Sequence, residues 1–396
     1  MATTTAPPST APTKAPAPAQ QRVRVGGVSS ELVLHVASAG FGALALVWLM
    51  YQRLLPISGT IGFWLSWYFI FLILLAAVSA TSLDRMAVID RLVGALVTSA
   101  GVVMIACLIG IVVFTVVRGI DALMHWNFYT QTTAFIGPEA PLDQGGILAA
   151  VVGTLEQVAI SVVLSVPLGI ATAVYLSEVR GKLARIVRTV VEAMSAVPTI
   201  VAGLFIYSML ILQFGQERSG LAASMALSIS MIPVVVTTAE VVLRLVPNGL
   251  REASLALGTT QWQTVRRIVL PTARSGLVTA VLLGVARVIG ETSPVLLVAG
   301  STAEMNADPT HGPQVSLPLF VFNQMRLPLD QAISRAFGAA VVLLVLVVVA
   351  FALARIAGGK APGQMSRRQQ RRIAITAGLA PAPNAINVRS LEGDIS

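Results

Sequence analysis

Charge is what this chain has least of. Only 11% of its 396 residues are Asp, Glu, Lys or Arg and 55% are apolar, whereas a soluble domain averages about 25% charged. That scarcity excludes an ordinary soluble globule, and with a mean hydropathy of +0.81 it makes a membrane interior the solvent. Cysteine is nearly missing too. The single Cys107 rules out an intramolecular disulfide and a thiolate metal cluster, and its apolar surroundings make it a packing residue. His35, His125 and His311 stand in three separate segments without metal-ligand spacing, so no metal site is expected. No Ser/His/Asp or paired-carboxylate constellation suggests hydrolytic chemistry, so no catalytic residue is assigned. A Gly-x-x-x-x-Gly-Lys-Ser/Thr loop is also missing: Gly181-Lys182 is followed by Leu183 and has no upstream glycine at the right distance. The chain is therefore expected to hold neither an ATPase site of its own nor a cofactor. A removable signal peptide is not expected, because no short apolar core is followed directly by a cleavage site.

What is present is apolar sequence in long runs. Eight candidate spans stand out at about Leu32–Met50, Phe63–Ala80, Leu92–Val117, Ile147–Leu176, Val191–Leu212, Leu221–Val242, Gly276–Ala299 and Ala336–Ile356, each near or above the ~20 residues that cross a bilayer. The expected fold is an all-α polytopic membrane protein. Residues 1–31 are rich in Ala, Pro and Thr and are expected to form a disordered cytoplasmic tail. Residues 361–396 form a second tail, whose basic run Arg367–Arg372 suits anionic headgroups or a cytoplasmic partner. The net charge of +9 would suggest nucleic acid in a soluble protein, but basic loops are what the positive-inside rule demands. With both termini inside, cytoplasmic segments collect 21 of the 27 Lys and Arg residues. Outer loops hold Arg53, Arg118, Arg218, Arg326 and Arg335, and Arg287 lies within a span. The expected location is thus a bacterial plasma membrane, with no nucleic-acid partner. Two long outer loops, His125–Gly146 and Ser301–Arg335, suit either an external partner or a passive connection.

Between the sixth and seventh spans, residues 247–271 have the pattern of a helix–turn–helix outside the membrane. Leu250, Ala253 and Leu257 fall at i, i+3 and i+7. Gly258 suits a left-handed helix end, and Thr260 with Gln263 makes a capping box for a second helix. Trp262, Val265 and Val269 repeat the apolar stripe beside Arg266 and Arg267, and Pro271 closes the segment before the next span. Spacing alone leaves two readings open, docking into a groove of a soluble protein or a connector resting on the bilayer. The residues themselves resemble the EAA loop of binding-protein-dependent ABC importer permeases: Glu252, Ala253, Gly258, Ile268, Leu270 and Pro271 match in register, with Ser254 in place of the third alanine. The resemblance implies an ATPase-coupling element, with Glu252, Ala253, Gly258, Trp262, Arg266 and Arg267 as its contact residues.

The seventh span carries Arg287-Val288-Ile289-Gly290-Glu291-Thr292-Ser293-Pro294. Arg287 lies roughly 17 Å from its cytoplasmic end at 1.5 Å per residue, where an arginine costs ~2.5–3.5 kcal/mol on insertion scales. A self-neutralised pair with Glu291, one turn on, would merely fix packing. An anion site would use the guanidinium's forked donors, at a place where Gly290 and Pro294 weaken the helix; the second reading is preferred. Thr199 and Ser195, beside Pro198, offer hydroxyls to an anion or to backbone freed by the proline. Glu156 suits a satisfied helix-end carboxylate better than an entry path, and Glu240 with Arg244 a helix-end ion pair.

Three segments sharpen this: residues 286–294, Val197-Pro198-Thr199-Ile200-Val201-Ala202-Gly203-Leu204-Phe205, and Tyr175-Leu176-Ser177-Glu178. All are similar to elements of phosphate-specific (Pst) ABC permeases, nearer to the A-type than to the C-type subunit. The resemblance covers about residues 90–360. It implies a six-span permease core, taken as 81–360, to which an extra hairpin at 32–80 is added. It further implies a pathway for inorganic phosphate at Arg287, Glu291, Thr292, Ser293, Thr199 and Ser195. The implied partners are a second homologous (C-type) permease, two cytoplasmic ATPase subunits, an external phosphate-binding protein and membrane lipids. An importer of sulfate, molybdate or phosphonate is the alternative, and a channel or membrane scaffold a more distant one.

Overall fold

The computed structural model describes residues 30–54 and 59–358. The expected tails, including Arg367–Arg372, lie outside the described residues apart from Ser30 and Glu31. The described residues are helical, without strands, and seven helices are long and apolar enough to cross a membrane, or eight spans if one bent pair is counted. The chain divides into two compact units between Ile109 and Gly110.

In the first unit, α1 (Ser30–Leu49), extended by a π-helical turn at Met50–Leu54, packs along α2 (Thr60–Ala80). The Trp67 indole donates to the Gly40 carbonyl at 3.1 Å, and an edge-to-face chain of rings joins Tyr51, Phe63, Trp64 and Trp67. The boundary between units falls inside α3 (Arg85–Leu123). Cys107 lies on an exposed face of α3, which corrects the expectation of a packing residue: this helix turns almost its whole apolar length outward.

The second unit is built around α8 (Gly220–Arg244), flanked by α5 (Leu148–Glu178) and α11 (Leu270–Ile289). In lipid, apolar side chains gain nothing by leaving one hydrocarbon for another, so close packing of small residues and interhelical hydrogen bonds hold helices together. The α5–α8 seam has both. Ser161 and Ser165 donate to the carbonyls of Ser224 and Ser228 at 3.0 and 3.4 Å, and Ala222, Ala223 and Ala226 are buried.

Two expected spans are not single helices. The run Val191–Leu212 is split: α6 (Lys182–Ala196) meets α7 (Thr199–Ile206, continued by a π-helical stretch Tyr207–Gln213) at a bend of 100°. Val197 sits between them in extended backbone, the conformation a following proline imposes. The run Gly276–Ala299 is broken as well: α11 stops at Ile289, and α12 (Ser293–Val298) begins after Gly290, Glu291 and Thr292. Conversely, Pro271 does not close the preceding segment. Helix α10 (Gln261–Thr264) runs through a π-helical turn at Val265–Val269 into α11, and Pro271 lies just after that turn without ending the helix. Arg335, expected in an outer loop, is instead buried near the start of α14 (Asp330–Gly358). Its guanidinium donates to the carbonyls of Ala140, Pro141 and Gln144 at 2.8, 2.8 and 3.2 Å and to Pro138 at 3.4 Å. It thereby ties the first outer loop, which carries α4 (Asn127–Thr130), to α14.

Candidate functional site

The break between α11 and α12 places the seventh-span charges. Arg287 is in the last turn of α11, and its Nε lies 3.9 Å from Glu291 Oε1, with the two side chains 53% and 16% exposed. At that separation the pair attracts without a hydrogen bond, so the guanidinium keeps its donors. It is not locked between helices. Thr292 caps α12 without a side-chain hydrogen bond, and Ser293 follows on an exposed face.

The α7 segment meets this break directly. A Cβ at Gly203 would lie 2.6 Å from Pro294 Cα, so only glycine lets α7 pack against α12 at this distance. The two sequence elements Val197–Phe205 and 286–294 are therefore in contact through one glycine and one proline. Thr199 opens α7, roughly 6 Å along the axis from Gly203 at 1.5 Å per residue. Ser195 is on the far side of the bend in α6, and its hydroxyl donates to the Val191 carbonyl at 3.1 Å. Of the six candidate pathway residues, the structure groups Arg287, Glu291, Thr292 and Ser293 at one break. Thr199 lies on the helix that packs against it, and Ser195 stands apart.

A cleft reaches Glu291, lined also by Thr154 and Gln157 of α5 and by Ser316, just before α13 (Leu317–Met325). Sequence reasoning singled out none of these three. Glu156 accepts from Gln314 Nε2, which makes it the satisfied carboxylate expected of it, although its partner comes from the second outer loop.

At the other end, α9 (Asn248–Ala256) and α10 form the expected helix–turn–helix. Gly258 has φ +79°, a backbone region in which only glycine is at ease, and the Thr260–Gln263 capping box is present. Ser254 is buried, and its hydroxyl lies 2.7 and 2.9 Å from those of Thr259 and Thr264, which fastens the two helices together. Arg251 donates to the carbonyls of Leu243 and Val246 at the end of α8. It also pairs with Glu178 at 3.2 Å, at the end of α5. Glu240, also buried, accepts from Arg188 of α6 and Arg244 at 2.6 Å each. The Glu240–Arg244 pair expected from sequence is thus two-thirds of a triad. Glu252, Ala253, Gly258, Trp262, Arg266 and Arg267 are all exposed, as are Leu250, Leu255 and Leu257, and Glu252 has no ion-pair partner among the described residues. Val265 and Val269 of the expected apolar stripe are buried while Trp262 is exposed. A helical pair anchored to two span ends that turns Leu250, Leu255, Leu257 and Trp262 outward beside three charged residues has the form of a docking element.

Known proteins resemble the chain as follows. The model of the family described as binding-protein-dependent transport system inner membrane component matches residues 165–360. Phosphate transport system permease protein PstA 1 of Mycobacterium tuberculosis is 42% identical over 233 residues, 59% of this chain and 76% of that protein. The PstA protein of Pasteurella multocida is 34% identical over 248 residues, 62% of this chain and 86% of its own length. Among solved structures, a chain of the inward-facing MetNI methionine ABC transporter aligns over 52% of this chain and 94% of its own, at TM-score 0.44 and 22% identity.

Proposed function

The chain belongs to the PstA family of phosphate transport system permeases, and from that premise we propose that the break between α11 and α12 is where inorganic phosphate crosses. The observation that carries this reading is a half-exposed guanidinium at Arg287, held near but not bonded to Glu291, at a gap in an otherwise apolar span. A helix interrupted within the membrane leaves unpaired backbone groups, which is tolerated where it lines a polar passage. Arg287 supplies attraction for a tetrahedral anion. Glu291 supplies an acceptor for the proton that phosphate carries near neutral pH and sulfate lacks. Thr292 and Ser293 at the break, and Thr199 on the helix packed against α12, offer hydroxyls to the same anion.

The substrate passes unchanged, and the work is done on partner subunits. The exposed face of Leu250, Leu255, Leu257 and Trp262, with Glu252, Arg266 and Arg267, docks into a cleft of an ATPase subunit. Two such subunits serve the complex, a C-type permease completes the pathway, and an external phosphate-binding protein delivers the anion to the outer loops. Both termini face the cytoplasm. Residues 81–360 act as the permease core and 32–80 as an added hairpin.

ATP-driven uptake of radiolabelled phosphate by the whole transporter in proteoliposomes tests the pathway. Arg287→Ala is expected to lower uptake at least tenfold while the complex still co-purifies with its ATPase. Wild-type uptake by this variant would refute the pathway. Glu291→Gln is expected to keep transport but let sulfate compete.

A further inference from the structure

The cleft beside Glu291 holds an imbalance in hydrogen bonding. Its lining is apolar except for Thr154, Gln157, Glu291 and Ser316. Thr154 is fully occupied, donating to the Ala150 carbonyl and accepting from the Leu317 amide, both at 2.7 Å. Gln157 has spent its amide nitrogen on the backbone and side-chain oxygens of Gln314, at 3.3 and 3.2 Å. That fixes which way the amide faces and leaves Oε1 as a pure acceptor. Gln157 is 1% exposed and Ser316 3%, yet Gln157 Oε1 and Ser316 Oγ have no hydrogen-bond partner among the described residues. An unmet buried polar atom costs about 1–3 kcal/mol, so two such atoms on residues that line one cleft, together with a carboxylate in the same lining, point to an occupant. The enclosed space takes one water-sized group. Its free atoms are acceptors, apart from one hydroxyl that can act either way, so the occupant must donate.

We propose that this cleft is a hydroxyl-reading seat: the P–OH of a protonated oxyanion enters it and donates towards Gln157 Oε1 and the Glu291 carboxylate, with the Ser316 hydroxyl completing the shell. The anion's unprotonated oxygens stay outside the seat, on the Arg287 side. The proposal rests on the reading of Arg287 and Glu291 as pathway residues, and deepens it by naming what distinguishes one tetrahedral anion from another. Phosphate and arsenate carry a proton near neutral pH, whereas sulfate has none to offer and would set a bare oxygen against the two obligate acceptors, Gln157 Oε1 and the Glu291 carboxylate. Both orphaned groups are reached through the second outer loop. Gln314, which orients Gln157, also donates to the Asn306 carbonyl at 3.1 Å, and Ser316 lies two residues further on. The selective group is thus supplied by α5 and an outer loop rather than by the span that carries the charges.

The test is uptake of radiolabelled phosphate by the whole transporter in proteoliposomes, with unlabelled sulfate as competitor, for Ser316→Ala, Gln157→Met and Arg287→Ala. The proposal expects Gln157→Met to raise the phosphate KM about tenfold, the loss of one well-placed hydrogen bond at ~1.4 kcal/mol. Ser316→Ala is expected to raise it severalfold, and sulfate to inhibit both variants more than wild type. Because Gln157 also holds Gln314, assembly is checked by co-purification; if Gln157→Met fails to assemble, Ser316→Ala, which breaks no bond seen in the structure, decides alone. Wild-type KM and wild-type sulfate rejection in Ser316→Ala and in any assembled Gln157→Met would overturn the seat and leave its occupant a structural water. If Arg287→Ala is also at wild type, the pathway reading falls with it; if Arg287→Ala alone is impaired, only the seat falls.

Discussion

Ser254 makes a single-residue case against reading a loop pattern as interchangeable small residues. It stands where the family pattern has alanine, and by size alone the exchange is neutral. In the structure its hydroxyl closes a buried ring with Thr259 and Thr264, whose own hydroxyls lie 3.0 Å apart. Ser254→Ala, a return towards the pattern, is therefore expected to destabilise the loop by about 1 kcal/mol, the usual net worth of such a bond. Hydrogen exchange of the 250–264 amides should then speed up roughly fivefold; unchanged exchange would mean the triad contributes nothing. Other single residues were as hard to foresee. Arg287 and Glu291 were legible because a charge inside an apolar run is costly. Arg335 was not, since its carbonyl partners at Pro138, Ala140, Pro141 and Gln144 lie almost 200 residues away. Gln157 and Ser316 carry no signal in one dimension at all: what marks them is the lack of a partner, and that exists only after folding.

At the scale of elements, hydrophobic run length located the spans well, because length and apolarity are properties of the segment itself. It failed where two segments of different role abut. The apolar run Val191–Leu212 merges the end of α6 with α7, and the bend between them was announced only by Pro198 and by the charges Lys182, Arg185, Arg188 and Glu192 spaced along α6. Those charges also explain what holds α6 at its angle. Arg188 reaches across to Glu240, which already holds Arg244 from its own helix, so one buried carboxylate pins α6 to the end of α8. Glu240→Gln keeps the shape and removes the charge, leaving two guanidinium groups without a counter-ion. Both are partly exposed, so the loss should be about 1–2 kcal/mol, below the ~3–5 kcal/mol of a fully buried pair. Thermal unfolding in detergent should show the deficit at low salt and a smaller one at 1 M salt, where the Debye length falls to about 3 Å. A deficit indifferent to salt would assign the contact to packing instead.

For the whole molecule, the two candidate functional regions sit at opposite ends of α11. That one helix begins at the α9–α10 pair and stops at the Gly290–Thr292 break, about 30 Å for twenty residues. The π-helical turn Val265–Val269 keeps α10 continuous with α11, so in the proposed coupling a push on the loop acts along an unbroken rod whose last turn holds Arg287. The proposed pathway expects the loop and the outer segments on opposite sides of the membrane, and the bias of Lys and Arg leads us to expect the loop in the cytoplasm. Cysteine labelling decides it. With the lone Cys107 replaced by alanine, Leu257→Cys and Asp308→Cys each create a single thiol at an exposed position. A membrane-impermeant maleimide added to intact cells should label Asp308→Cys and spare Leu257→Cys, and should label both once the membrane is opened. The opposite pattern would invert the protein and put the coupling loop out of reach of any cytoplasmic ATPase. Labelling of both in intact cells would mean that the span between them does not cross.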